Sequence, residues 1–463
     1  MKKRFTAWLV LTALVLNLSF GLSIAKADNY TVPQLDADSA VLMDARTGQI
    51  LFAKNKDKKQ FPASITKIMT GMLALENADI KDTVTMSEEA VFSITRGSSH
   101  IALNTGEKLS LEDALYALSI ESANDAANGI AEYIAGDMED FAALMNKRAR
   151  ELGALNTNFI NAHGLADPNH YTTAYDMALI MRQAIKNPQF KKIFSANYYE
   201  MSPTNLQPEN RFFHSKNLLL NGGYDYEGIT ASKLGWTTQA NNTLVTTAAR
   251  DGRELIAVVM NSTAYHGTYL DTVKLFDYGF NDFNEVTVLS AANEKSLPLD
   301  ENVAVPENIT VKTAEDIVRL LHKSVSPDSL QVNYEILDDG SKDGITTEVT
   351  FNLPQKNDYM YEDLGSITIF TPTAAPADVL GSAGGILSSI LAVIFKILKI
   401  LFMVLLGLVV LVLILRQINQ WRLRKKRSTR SRRYRIDYID QRINSRNKSN
   451  YYYSKYDDRD YDR

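Results

Sequence analysis

The chain has no cysteine and only six histidines in 463 residues. Without thiols there is no disulfide, no thiolate nucleophile and no cysteine-ligated metal. None of the histidines stands in a metalloprotease spacing such as H-E-x-x-H, so no metal and no cofactor is expected. Positive charge is also scarce where it would matter for nucleic acid. The formal net charge is −4, but from Lys396 onward 18 basic residues face 6 acidic ones, and the first 27 residues carry four basic and no acidic groups. The intervening stretch therefore holds about −20, the wrong sign for binding phosphates.

What is present at the two ends speaks of export. "MKKR" precedes an apolar run and then "AKAD", the pattern of a secretory signal cut after Ala27. Near the other end, residues 386–415 read "ILSSILAVIFKILKILFMVLLGLVVLVLIL". Their lysine-free part, 400–415, would rise roughly 24 Å as a helix, and Lys396 and Lys399 can snorkel so that the span begins earlier. "RQINQWRLRKKRSTRSRRYR" follows, a basic flank that marks the cytoplasmic side. The expectation is a single-pass membrane protein: signal 1–27, an extracytoplasmic part, a Pro/Gly/Ala linker 373–385, a transmembrane helix 386–415, and a basic, tyrosine-rich, disordered tail 416–463 held near anionic lipid.

Between the signal and the linker two regions differ in pattern. In 28–283, "SAVLMDARTGQILFAKN" reads as two strands turned at Arg46-Thr47-Gly48. Helical periodicity follows in "SITKIMTGMLALENA", "SLEDALYALSIESANDAANGIAEYIAG" and "MEDFAALMNKRARELG". Strands return in "NTLVTTAARDGRELIAVVMNST", with a hairpin signal at Asp251-Gly252. Strands at both ends with helices between imply an α/β domain whose first strands pair with its last. From 284 to 372 short alternating runs such as "EVTVLS", "ENVAVP" and "ITTEVTFNLP" imply a small β-rich domain, interrupted by one helix near 314–322.

The chemistry begins at "FPASITKIMT". Ser64 and Lys67 stand three apart, hence on one helix face. A hydroxyl needs a base to become a nucleophile. A lysine of ordinary pKa, about 10.4, is neutral only a few times in ten thousand at pH 7, so burial or a second cation must lower it. The pattern alone is cheap, recurring at Ser23–Lys26 and Ser445–Lys448; equally, Ser64 caps the helix and Lys67 points to solvent. Two further groups change the weighting. "ESANDAA" offers Ser122 to relay a proton and Asn124 to hold a peptide. "ITASKLGWTT" offers Lys233 as the second cation, beside Gly235, whose missing side chain leaves room for a substrate along the strand. Lys233 also fits an edge-strand lysine that blocks aggregation.

In this order the three groups resemble the S-x-x-K, S-x-N and K-T-G set of penicillin-interacting serine enzymes. Longer segments, "LDADSAVLMDARTGQILFAKNKDKKQFPASITKIMT", "ALYALSIESANDAANGIAEYIAG" and "LGALNTNFINAHGLADPNHYTTAYDMALI", resemble the D-alanyl-D-alanine carboxypeptidases, low-molecular-mass penicillin-binding proteins, over about residues 35–285. The later β segments are similar to that family's C-terminal domain. The resemblance implies a penicillin-binding/β-lactamase-like transpeptidase fold, an antiparallel sheet with a helical subdomain. It implies hydrolysis of the terminal D-Ala-D-Ala bond of peptidoglycan stem peptides, with β-lactams as covalent inhibitors. Ser64 would attack with Lys67 as base, Ser122 would protonate the departing D-alanine, Asn124 would hold the acyl side, and Lys233 the terminal carboxylate. Thr237 would join the substrate-binding strand. The backbone N–H groups of Ser64 and Trp236 would form an oxyanion hole, worth roughly 3–4 kcal/mol each in comparable sites. His163 and Gly164 match a loop bordering the site; His163 either orients it or is a buried, hydrogen-bonded histidine. That loop lacks the glutamate with which class A β-lactamases deacylate, so penicillin should leave slowly.

Two departures stand out. Leu234 replaces the threonine of K-T-G and cannot donate a hydrogen bond, and "AYHGTYL" puts His266 and Thr268 where relatives commonly carry an arginine. Losing one charged hydrogen bond should weaken carboxylate binding by roughly 1.5–3 kcal/mol. Ser232, Thr237 and Thr238 are the nearby hydroxyls in sequence that are candidates to compensate. Two other functions therefore stay open beside a carboxypeptidase: an endopeptidase cutting cross-links, and a catalytically weak wall-binding protein.

Overall fold

The computed structural model describes residues 31–95, 97–298, 308–338, 345–354, 356 and 360–371. The expected signal, linker, transmembrane helix and tail, and the run 301–306, lie outside the described residues. No helix among the described residues is long and apolar enough to cross a membrane.

The chain opens with a hairpin of β1 (Ser39–Asp44) and β2 (Ile50–Lys54). It turns at Gly48, whose φ of +80° glycine adopts without steric cost. A helical body follows: α1 (Lys67–Asn77), α2 (Glu88–Phe92), α3 (Leu111–Tyr116), α4 (Asn124–Ala135), α5 (Met138–Glu151), α6 (Ala174–Ala184) and α7 (Pro188–Phe194). Several starts are written in the sequence. Ser110 and Asp113 make a reciprocal capping box at α3, and Asp137 and Thr173 cap α5 and α6. Two ribbons, β3 (Thr83–Thr85) with β4 (Lys108–Ser110) and β5 (Tyr198–Met201) with β6 (Arg211–His214), accompany the helices. Then come β7 (Ile229–Thr237), β8 (Asn241–Arg250), β9 (Arg253–Ser262) and α8 (Tyr265–Asn281).

Strands β2-β1-β9-β8-β7, in that order, form one antiparallel sheet, so the first strands do pair with the last. Asp251 and Gly252 both take positive φ, 51° and 78°, the two-residue turn that matches strand twist. Alternation along the strands gives the sheet two buried faces. Val41, Met43, Ile256 and Val258 face the core shared with α1, α4 and α6. Ala40, Leu42, Leu255 and Ala257 face Leu275 and Phe276 of α8. One consequence matters for function: β7 lies at the edge, with one side of its backbone unpaired by the sheet.

Beyond α8, β10 (Phe283–Leu289) pairs with β13 (Ile317–His322), and β11 (Lys295–Pro298) with β12 (Asn308–Val311). Strands β14 (Gln331–Asp338), β15 (Ile345–Asn352) and β16 (Asp363–Thr371) form a three-stranded sheet. The helix expected near 314–322 is instead β13. A short apolar run such as "IVRLLH" suits either state. Here pairing with β10 decides, and the Gln49 side-chain amide completes it by bonding both the N–H and the carbonyl of Leu320, at 2.8 and 2.6 Å. Val349, Phe351 and Leu364 of this region share one core with Leu42 and Phe276.

Candidate active site

Ser64 lies in a single 3-10 turn, Ala63–Thr66, that leads into α1. Neither this turn nor α1 has a side-chain cap, and Lys67 is fully buried. That excludes the reading of Ser64 as a cap and Lys67 as a solvent-facing charge. Three groups surround the Lys67 amine: Ser64 Oγ at 3.2 Å, Asn124 Oδ1 at 2.7 Å and the His163 carbonyl oxygen at 2.7 Å. The two closer ones only accept hydrogen bonds. Burial first, and then the charge of Lys233, hold the Lys67 pKa well below the usual lysine range, against a smaller upward pull from Asp125. A neutral amine has two N–H bonds and one lone pair. With both N–H bonds taken by Asn124 and His163, the lone pair faces the Ser64 hydroxyl.

The expected long helix over 110–136 breaks here. α3 runs into a π turn, Ala117–Glu121, and ends at Ser122, which takes the left-handed conformation with φ 58°. Non-glycine residues avoid this region, and π turns and such strain gather at functional sites. The Ser122 hydroxyl accepts a hydrogen bond from Lys233 Nζ at 3.1 Å. Asn124, the first residue of α4, donates its backbone N–H to Ser99 O at 2.9 Å. Its side-chain oxygen serves Lys67, a use the sequence reading did not assign. Asp125, also missed, is buried and accepts the N–H groups of Ile101 and Leu103, at 3.2 and 3.1 Å, fixing the segment that carries Ser99. An aspartate in a first helical turn reads from sequence only as a partner of the helix dipole.

Lys233 is buried in β7 and donates to Ser122 Oγ and to Leu234 O, both at 3.1 Å. Burial pulls its pKa down to about 7. The lysine is thus a member of the cluster rather than a solvated edge charge. Gly235 is needed for a packing reason beyond the one expected. A Cβ there would lie 2.7 Å from Ser64 N and 2.6 Å from Thr243 Oγ1. The missing side chain lets β7 pack against the turn that carries Ser64. Trp236 is 62% exposed, and Thr237 Oγ1 accepts the Ala240 N–H at 3.0 Å. Ser232, a suggested substitute for the missing threonine, is buried between Asn217 and Thr246 at 2.7 and 2.8 Å. Leu234 packs toward Leu219, Leu244 and Tyr269. His266 Nδ1 meets Tyr224 OH at 3.1 Å, and Thr268 Oγ1 donates to Ala264 O at 3.2 Å.

The bordering loop works through its backbone. The His163 ring accepts the Leu165 N–H at 3.1 Å, and burial, with the Lys67 charge behind it, pulls the ring's pKa to about 3. It is neutral and faces its own loop, while its carbonyl reaches Lys67. Thr66 and Thr70 tie the same loop to α1, through His170 Nε2 at 2.9 Å and Ala162 O at 2.6 Å. Gly164 has φ +87°, and a Cβ on it would overlap the Ala63 carbonyl.

Comparison with known proteins bears on this cluster. Residues 26–264 match the family model described as D-alanyl-D-alanine carboxypeptidase. The chain is 30% identical over 373 residues to D-alanyl-D-alanine carboxypeptidase DacF of Bacillus subtilis, covering 79% of this chain and 92% of that protein. It is 34% identical over 304 residues to DacA of Haemophilus influenzae, covering 64% of this chain and 75% of that one. Among solved structures, penicillin binding protein 5 from Haemophilus influenzae superposes with a TM-score of 0.60 at 29% identity, over 75% of this chain and 100% of that one. The carboxypeptidase DacD from Francisella tularensis gives 0.58 at 26% identity, over 74% and 94%.

Gly164→Ala combines a forbidden φ with a backbone overlap at the nucleophile's turn. The expected result is a loss of about 1–3 kcal/mol in stability and slower acylation of Ser64 by penicillin. Thermal unfolding and labelled-penicillin kinetics check both; a variant equal to wild type in each would refute the packing role.

Proposed function

The chain belongs to the D-alanyl-D-alanine carboxypeptidase family, and from that premise we infer how its residues divide the work. It is a serine-type peptidase that removes the terminal D-alanine from peptidoglycan stem pentapeptides. The observation carrying the assignment of roles is the Lys67 amine, whose two close acceptors leave its lone pair for Ser64. Lys67 takes the proton as Ser64 Oγ attacks the carbonyl carbon. The oxyanion forms beside the backbone N–H groups of Ser64 and Trp236, which the bare Gly235 backbone allows to approach each other. The C–N bond then breaks, and the proton passes through Ser122 to the departing amine. Water next attacks the acyl carbon, giving its proton to Lys67, which passes it to Ser64 Oγ as the ester C–O bond breaks. A β-lactam undergoes the same first step, its carbonyl carbon bonding to Ser64 while the ring C–N bond opens.

Asn124 holds the base by its oxygen and keeps its amide N–H₂ for the acyl chain. Lys233, charged, receives the terminal carboxylate. Lys233 loses its charge as pH rises through about 7 in the free enzyme, so capture of a carboxylate weakens above neutrality, while protonation of Lys67 ends activity on the acid side. We further propose that residues 386–415 anchor the chain, with 28–372 outside the membrane and 416–463 in the cytoplasm, and with 284–372 a spacer holding the crevice toward the wall. The apolar run and its basic flank support this reading.

Three measurements test these statements. Pentapeptide incubated with the full-length protein should lose one D-alanine by mass spectrometry, and Ser64→Ala should abolish both that loss and the penicillin adduct. Cleavage of a cross-linked dimer but not of pentapeptide would replace trimming by cross-link cutting. Asn124→Asp places a negative charge 2.7 Å from the Lys67 amine. That favours the cation, so the acid limb of kcat/KM should move up by about 1–3 pH units; an unmoved limb removes Lys67 as the titrating base. For the anchor, protease added to intact cells should consume the catalytic region and spare an epitope in the tail, and the reverse pattern would overturn the orientation.

A further inference from the structure

A cavity of about 380 Å³ opens beyond the end of β7, lined by Lys58, Lys59, Gln60, Phe61, Tyr171 and Gln239, among others. None of its walls carries a residue of the catalytic cluster. Three segments that border the crevice nevertheless continue into it. Gln60 and Phe61 precede the turn of Ser64, Tyr171 follows the loop at 163, and Gln239 follows Thr237 at the end of β7. The Phe61 wall lies within about 10 Å of Ser64, the most that three residues of chain can span. A substrate with its terminal carboxylate on Lys233 and its reacting carbonyl at Ser64 runs its acyl part toward Thr237 and this cavity. Two extended residues cover about 7 Å, so the third and second residues of a stem pentapeptide arrive there.

The two lysines on the wall differ in how their charge is met. Lys58 Nζ stands 2.7 Å from Asp38 Oδ2, and the buried Gln60 donates its side-chain amide to the same oxygen, so that pair is closed. Lys59 Nζ lies 4.4 Å from the centre of the Tyr171 ring, an attraction that places the ammonium without cancelling its charge. No ion pair among the described residues includes Lys59. Gln60 and Thr172 exchange backbone hydrogen bonds at 2.8 and 2.9 Å, which ties the segments of Lys59 and Tyr171 together. The stretch between the signal and Lys396 holds about −20, a field that opposes an acidic peptide. An unmatched cation at the acyl end of the crevice offsets it where such a peptide must lie. We propose that Lys59 binds a carboxylate on the acyl part of the stem peptide, one that takes no part in the reaction. The proposal rests on the carboxypeptidase reading. Two carboxylates lie within that reach: the α-carboxylate of a γ-linked D-glutamate at position two, and the free carboxylate of a diaminopimelyl residue at position three.

The test uses the full-length protein in detergent and four pentapeptides ending in D-Ala-D-Ala. Position two is D-glutamate or its α-amide, position three is diaminopimelate or lysine, and released D-alanine is quantified. Removing the bound carboxylate should lower kcat/KM about three- to tenfold. A loss on amidation assigns position two, and a loss on exchange for lysine assigns position three. Lys59→Gln should bring the preferred peptide down to the level of its uncharged analogue and leave that analogue near wild type, while Lys59→Arg keeps the preference. Benzylpenicillin has no carboxylate on its acyl side, so its acylation of Ser64 should stay near wild type in both variants. Equal rates on all four peptides, or a preference that Lys59→Gln leaves intact, overturn the subsite alone. Release of D-alanine from none of the peptides overturns the carboxypeptidase reading, and the subsite with it.

Discussion

Everything in the site depends on how one buried amine is held. Lys67 could be neutral anywhere dry enough, but neutrality alone does not make a base for a particular hydroxyl. The Asn124 oxygen and the His163 carbonyl, each at 2.7 Å, are both pure acceptors and occupy both N–H bonds. They fix the direction of the lone pair, while burial and the charge of Lys233 hold the pKa of the group down. The three partners come from separate stretches of chain: the turn before α1, the break between α3 and α4, and the loop at 163. The fold's task is to bring these stretches together and hold them within a few tenths of an ångström.

Two glycines and two strained residues make that convergence possible. Gly235 lets the edge strand press on Ser64's turn, and Gly164 lets the loop press on Ala63 from another side. Ala63 and Ser122 sit at positive φ, 52° and 58°, each at a cost of about 1–3 kcal/mol that the surrounding packing must offset. The strain falls on the residue before Ser64 and on Ser122 itself.

The parts legible in the sequence are those governed by periodicity. Ser64 and Lys67 share a face because three residues make most of a helical turn. The β8–β9 hairpin announces itself at Asp251-Gly252, and the closing of the sheet by its first and last strands follows from helices lying between them. What could not be read depends on contacts distant along the chain. The break at Ser122 interrupts a stretch whose apolar pattern is continuous. His163 draws attention by its ring, yet it is the carbonyl that reaches the site, and every residue has one. Gly235 was correctly singled out for its missing side chain, but which neighbour needs the space is a tertiary fact. The strand at Ile317–His322 likewise follows from its pairing with β10, completed by Gln49, more than 260 residues away, gripping Leu320.

The two lysines pose a last question, because catalysis asks opposite things of them. Lys67 must be neutral and Lys233 charged, yet burial lowers both. In the free protein Lys233, near 7, is divided between its two forms at neutral pH. An arriving carboxylate supplies what the site lacks. It favours the charged form of Lys233, and because the two charges of that pair offset each other at Lys67, burial goes on holding the Lys67 pKa down. A ligand without a negative charge at that end would leave Lys233 divided between its two forms. With leucine at 234 offering the carboxylate no hydroxyl, this coupling through Lys233 carries more of the recognition than it would beside a threonine.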